Sequence, residues 1–292
     1  MTNANAFPSS HSFGESRFLT VPDGRKLHYM TKGSGEPTVV FESGMGFSRS
    51  TWGLVQPEVA KRVRAVVYDR AGTGRSDDDT QPRTLQRIVE DLLLLLDELG
   101  SGPFVLVGHS WGGPIVRTAA AAAPSRIRGL VLVDQSDENA DLYFEPRSVR
   151  WFKISRFLYP MLARTGLYRL LGSKSGSVLP ADVFRDHRQE DFTVRAARTA
   201  AAEMKPFLDD LAALRARPPE LGSLEVSVVS GTQVNRQERK IRPAIVEAHK
   251  KTVASLKRAR WVEAANSAHL IPFTEPGLIV REIVRMLDQP NN

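Results

Sequence analysis

The chain has 292 residues, 41% hydrophobic and 25% charged, with glycine and proline spread along it; this is the profile of a globular core large enough to carry an inserted subdomain. It has no cysteine, which excludes disulfides, thiolate catalysis and Cys-ligated zinc. The formal net charge is +7, and residues 147–174 hold seven Lys or Arg and no Asp or Glu, so much of the excess belongs to one segment.

Residues 1–16 have neither the basic nor the apolar stretch of a signal peptide and read as a flexible tail. With no leader, no cysteine and no apolar run near the roughly 20 residues a membrane span needs, the protein reads as cytoplasmic, without a transmembrane segment. An opening hairpin is expected over 17–21 and 26–31, turned at Pro22-Asp23-Gly24. Short Val-rich runs of the buried parallel type follow at 38–42, 64–69, 104–108 and 129–134, then at 224–230 and 260–264. Between them, Leu85, Ile88, Val89, Leu92, Leu96 and Leu99 recur at helical spacing, with Pro82 before and Gly100 after, which predicts a helix over 85–99. Further helices are expected over 111–123, 245–256 and 278–287.

Strands alternating with helices predict an α/β fold with a mainly parallel central sheet and helices on both faces. From 138 to 221 there is no buried-strand pattern, only helical segments interrupted at Pro160 and Pro180. This stretch is expected to be a helical cap inserted after the sixth strand, into a core of 17–137 and 222–292.

The sharpest signal is Gly108-His109-Ser110-Trp111-Gly112, with a strand directly before it and a helix directly after. Gly-x-Ser-x-Gly in that context is a turn so tight that the flanking residues must lack a Cβ. Serine then stands clear of the sheet at a helix N-terminus, where free N–H groups favour developing negative charge. Ser110 is the expected nucleophile.

On these residues the chain resembles the α/β-hydrolase fold family, and in particular its small, lidded, serine esterase or lactonase-like members. The resemblance extends over roughly 17–287. It implies an oxyanion hole from the loop Phe41-Glu42-Ser43-Gly44-Met45-Gly46, with the backbone N–H groups of Met45 and Trp111 as donors. Ser43-Gly44 stands where the family usually has His-Gly. Tyr68-Asp69-Arg70-Ala71-Gly72-Thr73-Gly74-Arg75-Ser76 resembles the loop after the next strand, where Asp69 and Arg70 are read as structural. A serine hydroxyl needs a base in reach, and the family's order of Ser, acid, His implies His269, in Asn266-Ser267-Ala268-His269 after the last strand. The remaining histidines read as surface or satisfied core residues, His109 as a neighbour that points away from Ser110.

The family's usual acid follows the seventh strand, but Gly231-Thr232-Gln233-Val234-Asn235-Arg236-Gln237 contains no carboxylate. The alternative position, at the end of the sixth strand, holds Asp134, which is preferred over Asp137 and, after it, Glu238. No histidine pair is spaced like a metal site, and neither a metal nor a cofactor is expected.

Gly44, Phe47, Tyr143, Phe144 and Trp151 are candidate substrate contacts near Ser110 or from the cap, and their character suggests a small hydrophobic ester or lactone. The basic, amphipathic 147–174 segment is compatible with an anionic membrane surface, but the preferred reading turns its apolar stripe toward the core or the site. No nucleic-acid motif is present. Cofactor-free perhydrolase or haloperoxidase-like chemistry and carbon–carbon bond hydrolysis use the same triad and stay open, as does a non-catalytic ligand receptor on the same fold. A serine at the nucleophile position argues against epoxide hydrolase or dehalogenase chemistry.

Overall fold

A computed structural model describes residues 11–234, 238–239 and 241–289. Its strands are β1 (Glu15–Thr20), β2 (Lys26–Lys32), β3 (Thr38–Glu42), β4 (Ala65–Tyr68), β5 (Phe104–His109), β6 (Ile127–Val133), β7 (Glu225–Gly231) and β8 (Ala259–Ala264). They form one sheet in the order β1-β2-β4-β3-β5-β6-β7-β8. The β1–β2 and β2–β4 pairs are antiparallel, and every pair from β4 to β8 is parallel.

The helices are α1 (Gln56–Val59), α2 (Leu85–Leu99), α3 (Gly112–Ala122), α4 (Pro146–Arg164), α5 (Leu167–Gly172), α6 (Ala181–Asp186), α7 (Val194–Ala216), α8 (Ile241–Ser255), α9 (Ile271–Thr274) and α10 (Pro276–Leu287). The period-two alternation of the buried strands divides the core into two layers. Leu106, Leu130 and Leu132 face Leu92 and Leu96 of α2 and Ile115 of α3, while Val105, Val107, Val131 and Val133 face Ile279 and Ile283 of α10. The α/β architecture with a mainly parallel sheet is therefore as expected, and α4 to α7 all lie between β6 and β7.

Four expectations are corrected. Residues 11–16 are not a loose tail: Phe13 is fully buried, the Ser12 backbone N–H donates to Asp182 at 2.6 Å, and His11 lies 3.2 Å from Asp186. Residues 1–10 lie outside the described residues, as do 235–237 of the loop after β7. Pro160 does not interrupt its helix but sits inside α4, a surface helix on which the carbonyl it leaves unpaired can be hydrated. The apolar stripe of α4 faces the core only in part: Trp151, Ile154, Phe157 and Met161 are exposed, whereas Phe152 packs against the core. Finally, α8 starts four residues before the expected 245, which carries Arg242 onto its first turn.

Candidate active site

The turn after β5 is built by exclusion. A Cβ on Gly108 would lie 2.4 Å from the Gly112 carbonyl oxygen, and one on Gly112 would lie 2.5 Å from the Glu42 carbonyl oxygen, so neither position accepts a side chain. Between them Ser110 is held at φ 54°, in the left-handed region that non-glycine residues seldom occupy. Its backbone is locked, with its N–H on the Val133 carbonyl at 3.0 Å and its own carbonyl accepting from Ser136 at 2.9 Å. The hydroxyl is thereby fixed at the C-terminal edge of the sheet.

His269, from the loop between β8 and α9, brings Nε2 to 3.1 Å from the Ser110 Oγ. Its Nδ1 is 2.7 Å from Asp134 Oδ2, and because a carboxylate only accepts, Nδ1 carries a proton and Nε2 is the nitrogen that faces Ser110. Asp134 directly follows β6, also strained at φ 40° and buried. Burial opposes its ionisation, but the hydrogen bond and charge of His269 together with the Arg242 guanidinium outweigh it and hold the carboxyl well below the usual carboxylate range. Arg242 Nη1 donates to both carboxylate oxygens at 2.8 Å, and the Gly231 N–H donates to Oδ1 at 3.1 Å. Asp137 is elsewhere engaged, accepting from Gln135, Asn139 and Thr252.

His109 packs beneath this chain of bonds. Its ring lies 4.8 Å from that of His269, and its Nε2 donates to the His269 carbonyl at 3.0 Å. Burial, and then the neighbouring His269, push its pKa down to about 3, so it is a neutral support for the loop.

The loop of residues 41–46 is held from below by Arg70. This guanidinium donates to the carbonyls of Ser43 at 2.6 Å and Gly44 at 2.8 Å, and it pairs with Glu42 at 2.5 Å and with both oxygens of Glu203 on α7 at 3.0 Å. In a trans peptide the C=O and the next N–H point in opposite directions, so gripping the Gly44 carbonyl aims the Met45 N–H away from Arg70. A Cβ on Gly44 would stand 3.1 Å from that of Ser110, which puts this loop against the turn that carries Ser110. Among the described residues, neither the Met45 nor the Trp111 backbone N–H has a protein acceptor.

Above the turn stands an aromatic wall. Phe207 of α7 meets Trp111 edge-on with centroids 4.9 Å apart, and Phe152 and Tyr143 pack on Phe207 at 4.9 and 5.6 Å. Phe47 packs on His187 and Phe192 at 6.1 and 6.3 Å, and Phe144 lies under the Arg215 guanidinium at 4.1 Å. Trp151 projects to solvent from the outer side of α4, whereas its neighbour Phe152 is the residue that turns inward.

Sequence reasoning did not single out Arg242, Phe207 or the positioning contacts of Arg70 and His109. Phe207 follows Pro206 inside α7, where an apolar residue at helical spacing was the available signal; Arg242 carries no local signal.

The chain matches the family described as the Alpha/beta hydrolase family over residues 39–282. It is 36% identical over 108 residues to RutD of Azorhizobium caulinodans, named as a carbamate hydrolase; this covers 37% of the present chain and 40% of that protein. It is 24% identical to the protein YqjL of Bacillus subtilis over 88% of this chain and 86% of the other. The fold superposes on a thermophilic esterase from Thermogutta terrifontis with a TM-score of 0.73 at 20% identity, covering 96% of this chain and all of the esterase.

Proposed function

Since this chain belongs to the alpha/beta hydrolase family, we propose that it is a serine hydrolase that cleaves a carboxylic ester or lactone of a small hydrophobic molecule through an acyl-enzyme. The observation that carries the reading is the continuous chain of hydrogen bonds from Ser110 Oγ through His269 to Asp134, at 3.1 and 2.7 Å. Ser110 attacks the substrate carbonyl carbon as its hydroxyl proton passes to His269 Nε2. Asp134, kept ionised by its partners, stabilises the resulting imidazolium. The oxyanion of the tetrahedral intermediate is received by the Met45 and Trp111 N–H groups. Collapse breaks the bond to the leaving oxygen, which takes the proton from His269; in a lactone that alcohol stays tethered to the acyl group. Water then attacks the acyl-enzyme with His269 again as base, releasing the acid and restoring Ser110.

In this reading the helices between 138 and 221 act as a cap, and the aromatic wall of Tyr143, Phe152 and Phe207 favours an apolar acyl or leaving group. RutD's name adds carbamates to the substrates to be tried, since they present the same carbonyl to the same nucleophile.

The test is incubation with a fluorophosphonate probe and mapping of the adduct by mass spectrometry, beside turnover of aryl esters, lactones and carbamates. The expected result is one adduct on Ser110, lost in Ser110→Ala and strongly slowed in His269→Ala. Turnover that survives Ser110→Ala would overturn the mechanism.

A further inference from the structure

The outer face of α4 and α5 exposes apolar side chains beside cations that, among the described residues, pair with no carboxylate, Arg156 lying over the Phe157 ring at 4.7 Å. Trp151, Ile154, Phe157 and Met161 recur at three- and four-residue intervals, which sets them along one side of α4, and they are 54%, 49%, 68% and 56% exposed. Leu170 of α5 is 64% exposed and Leu167 is 40% exposed. Large apolar side chains gathered in one place on a surface mark an interaction site.

The charges around them are all of one sign. Arg147, Arg150, Lys153, Arg156, Arg164, Arg169 and Lys174 flank this stripe, and among the described residues none forms an ion pair with a carboxylate. Several arginines of the core do pair, as Arg25 with Asp91, Arg49 with Asp69, Arg83 with Asp79 and Arg117 with Glu138. A face with apolar side chains at its centre and unneutralised cations around them needs a partner that is apolar inside and anionic outside.

We propose that this face docks on an anionic lipid surface, with Trp151, Ile154, Phe157 and Met161 entering the headgroup boundary and the flanking Arg and Lys meeting lipid phosphates. A second copy of the chain would set one cationic face against another. Among the described residues no helix is long and apolar enough to cross a membrane, so the contact is peripheral. The docking is independent of which bond the enzyme cleaves.

The test uses the full chain with vesicles of phosphatidylglycerol mixed with phosphatidylcholine, and with vesicles of phosphatidylcholine alone. Flotation with the anionic vesicles is expected, weakened by added salt, with little flotation on the neutral ones. Trp52 and Trp111 are buried and Trp261 lies beneath Lys250, so a blue shift of tryptophan emission on binding reports Trp151. The double variant Phe157→Ser, Met161→Ser changes only exposed side chains and should lower vesicle affinity by about tenfold or more, with an unaltered thermal melt.

No flotation on anionic vesicles overturns the proposal. So does binding that the double variant leaves intact, or binding that is equal on neutral lipid and indifferent to salt. A lipid-free dimer in sedimentation that the double variant splits would assign the face to a second copy instead.

Discussion

Asp134 concentrates the demands that the site makes on single residues. It sits at φ 40°, buried, with an imidazole on one oxygen and Arg242 across both. Asparagine has nearly the same shape but no charge, so Asp134→Asn removes the stabilisation of the His269 cation while sparing the packing. Turnover should fall by about 10⁴-fold, with secondary structure by circular dichroism unchanged. Turnover within tenfold of the parent would show that another group orients His269. Ser110 and His269 are legible in the chain because a tight turn and a position after the last strand are local facts. In the sequence, Asp134 follows only from the lack of a carboxylate in the loop after Ser230 and competes with Asp137; His269, the Gly231 N–H and Arg242 Nη1, all on Asp134, distinguish the two carboxylates. Arg242 could not be read, since its partner lies 108 positions away and only tertiary contact makes that arginine different from any other helical one.

At the level of elements, the strands and α2 follow directly from periodicity, because buried parallel strands are short Val-rich runs and the two layers of the core impose a strict alternation. The region between β6 and β7 resists that reading: its helices owe their orientation to contacts with the core. α7 shows this best, for it places Glu203 on Arg70 and Phe207 on Trp111. Helix α7 and the loop of residues 41–46 thus share one guanidinium. If α7 is withdrawn, Arg70 loses its bidentate partner and its grip on the Gly44 carbonyl slackens, so the Met45 N–H is no longer aimed. Glu203→Gln should therefore lower kcat by about 10²-fold, approaching the loss of one oxyanion donor, with a smaller change in KM. Arg70→Lys should fall as far, because an ammonium cannot span two carbonyls and two carboxylates in one plane. A Glu203→Gln enzyme with unchanged kcat would uncouple α7 from the loop.

For the molecule as a whole, one buried cation ties the N-terminal segment, the sheet and the helices between β6 and β7 into one body. Arg49 is completely buried, and its guanidinium reaches Asp69 at 2.6 Å, Asp186 of α6 at 2.5 Å and Glu190 at 2.7 Å. Asp69 also holds His28 of β2 at 2.8 Å, while Asp186 meets His11 of the N-terminal segment. A single cation thus connects the residue after β4, α6 and, through their carboxylates, His28 of β2 and His11 of the N-terminal segment. Burial alone would raise the Asp69 pKa, but Arg49 and then His28 reverse this and hold it at about 2. Arg49→Met leaves these carboxylates buried without their cation, a loss of about 3–5 kcal/mol. At about 2–4 °C per kcal/mol for a chain approaching this size, the melting temperature should drop by roughly 10 °C. The pH dependence gives a sharper check. A carboxyl whose folded pKa is depressed stabilises the fold above its unfolded pKa, near 4, and that stabilisation is lost as pH falls toward the folded value. Without Arg49, burial raises the Asp69 pKa in the variant, so the difference between parent and variant should be largest at neutral pH and shrink as pH falls through the variant's raised value toward about 2. Hydrogen exchange should show α6 and α7 losing protection before the sheet, since the sheet keeps both of its apolar layers when the cation is gone. A variant as stable as the parent at neutral pH would mean that packing of the cap helices alone holds the three parts together.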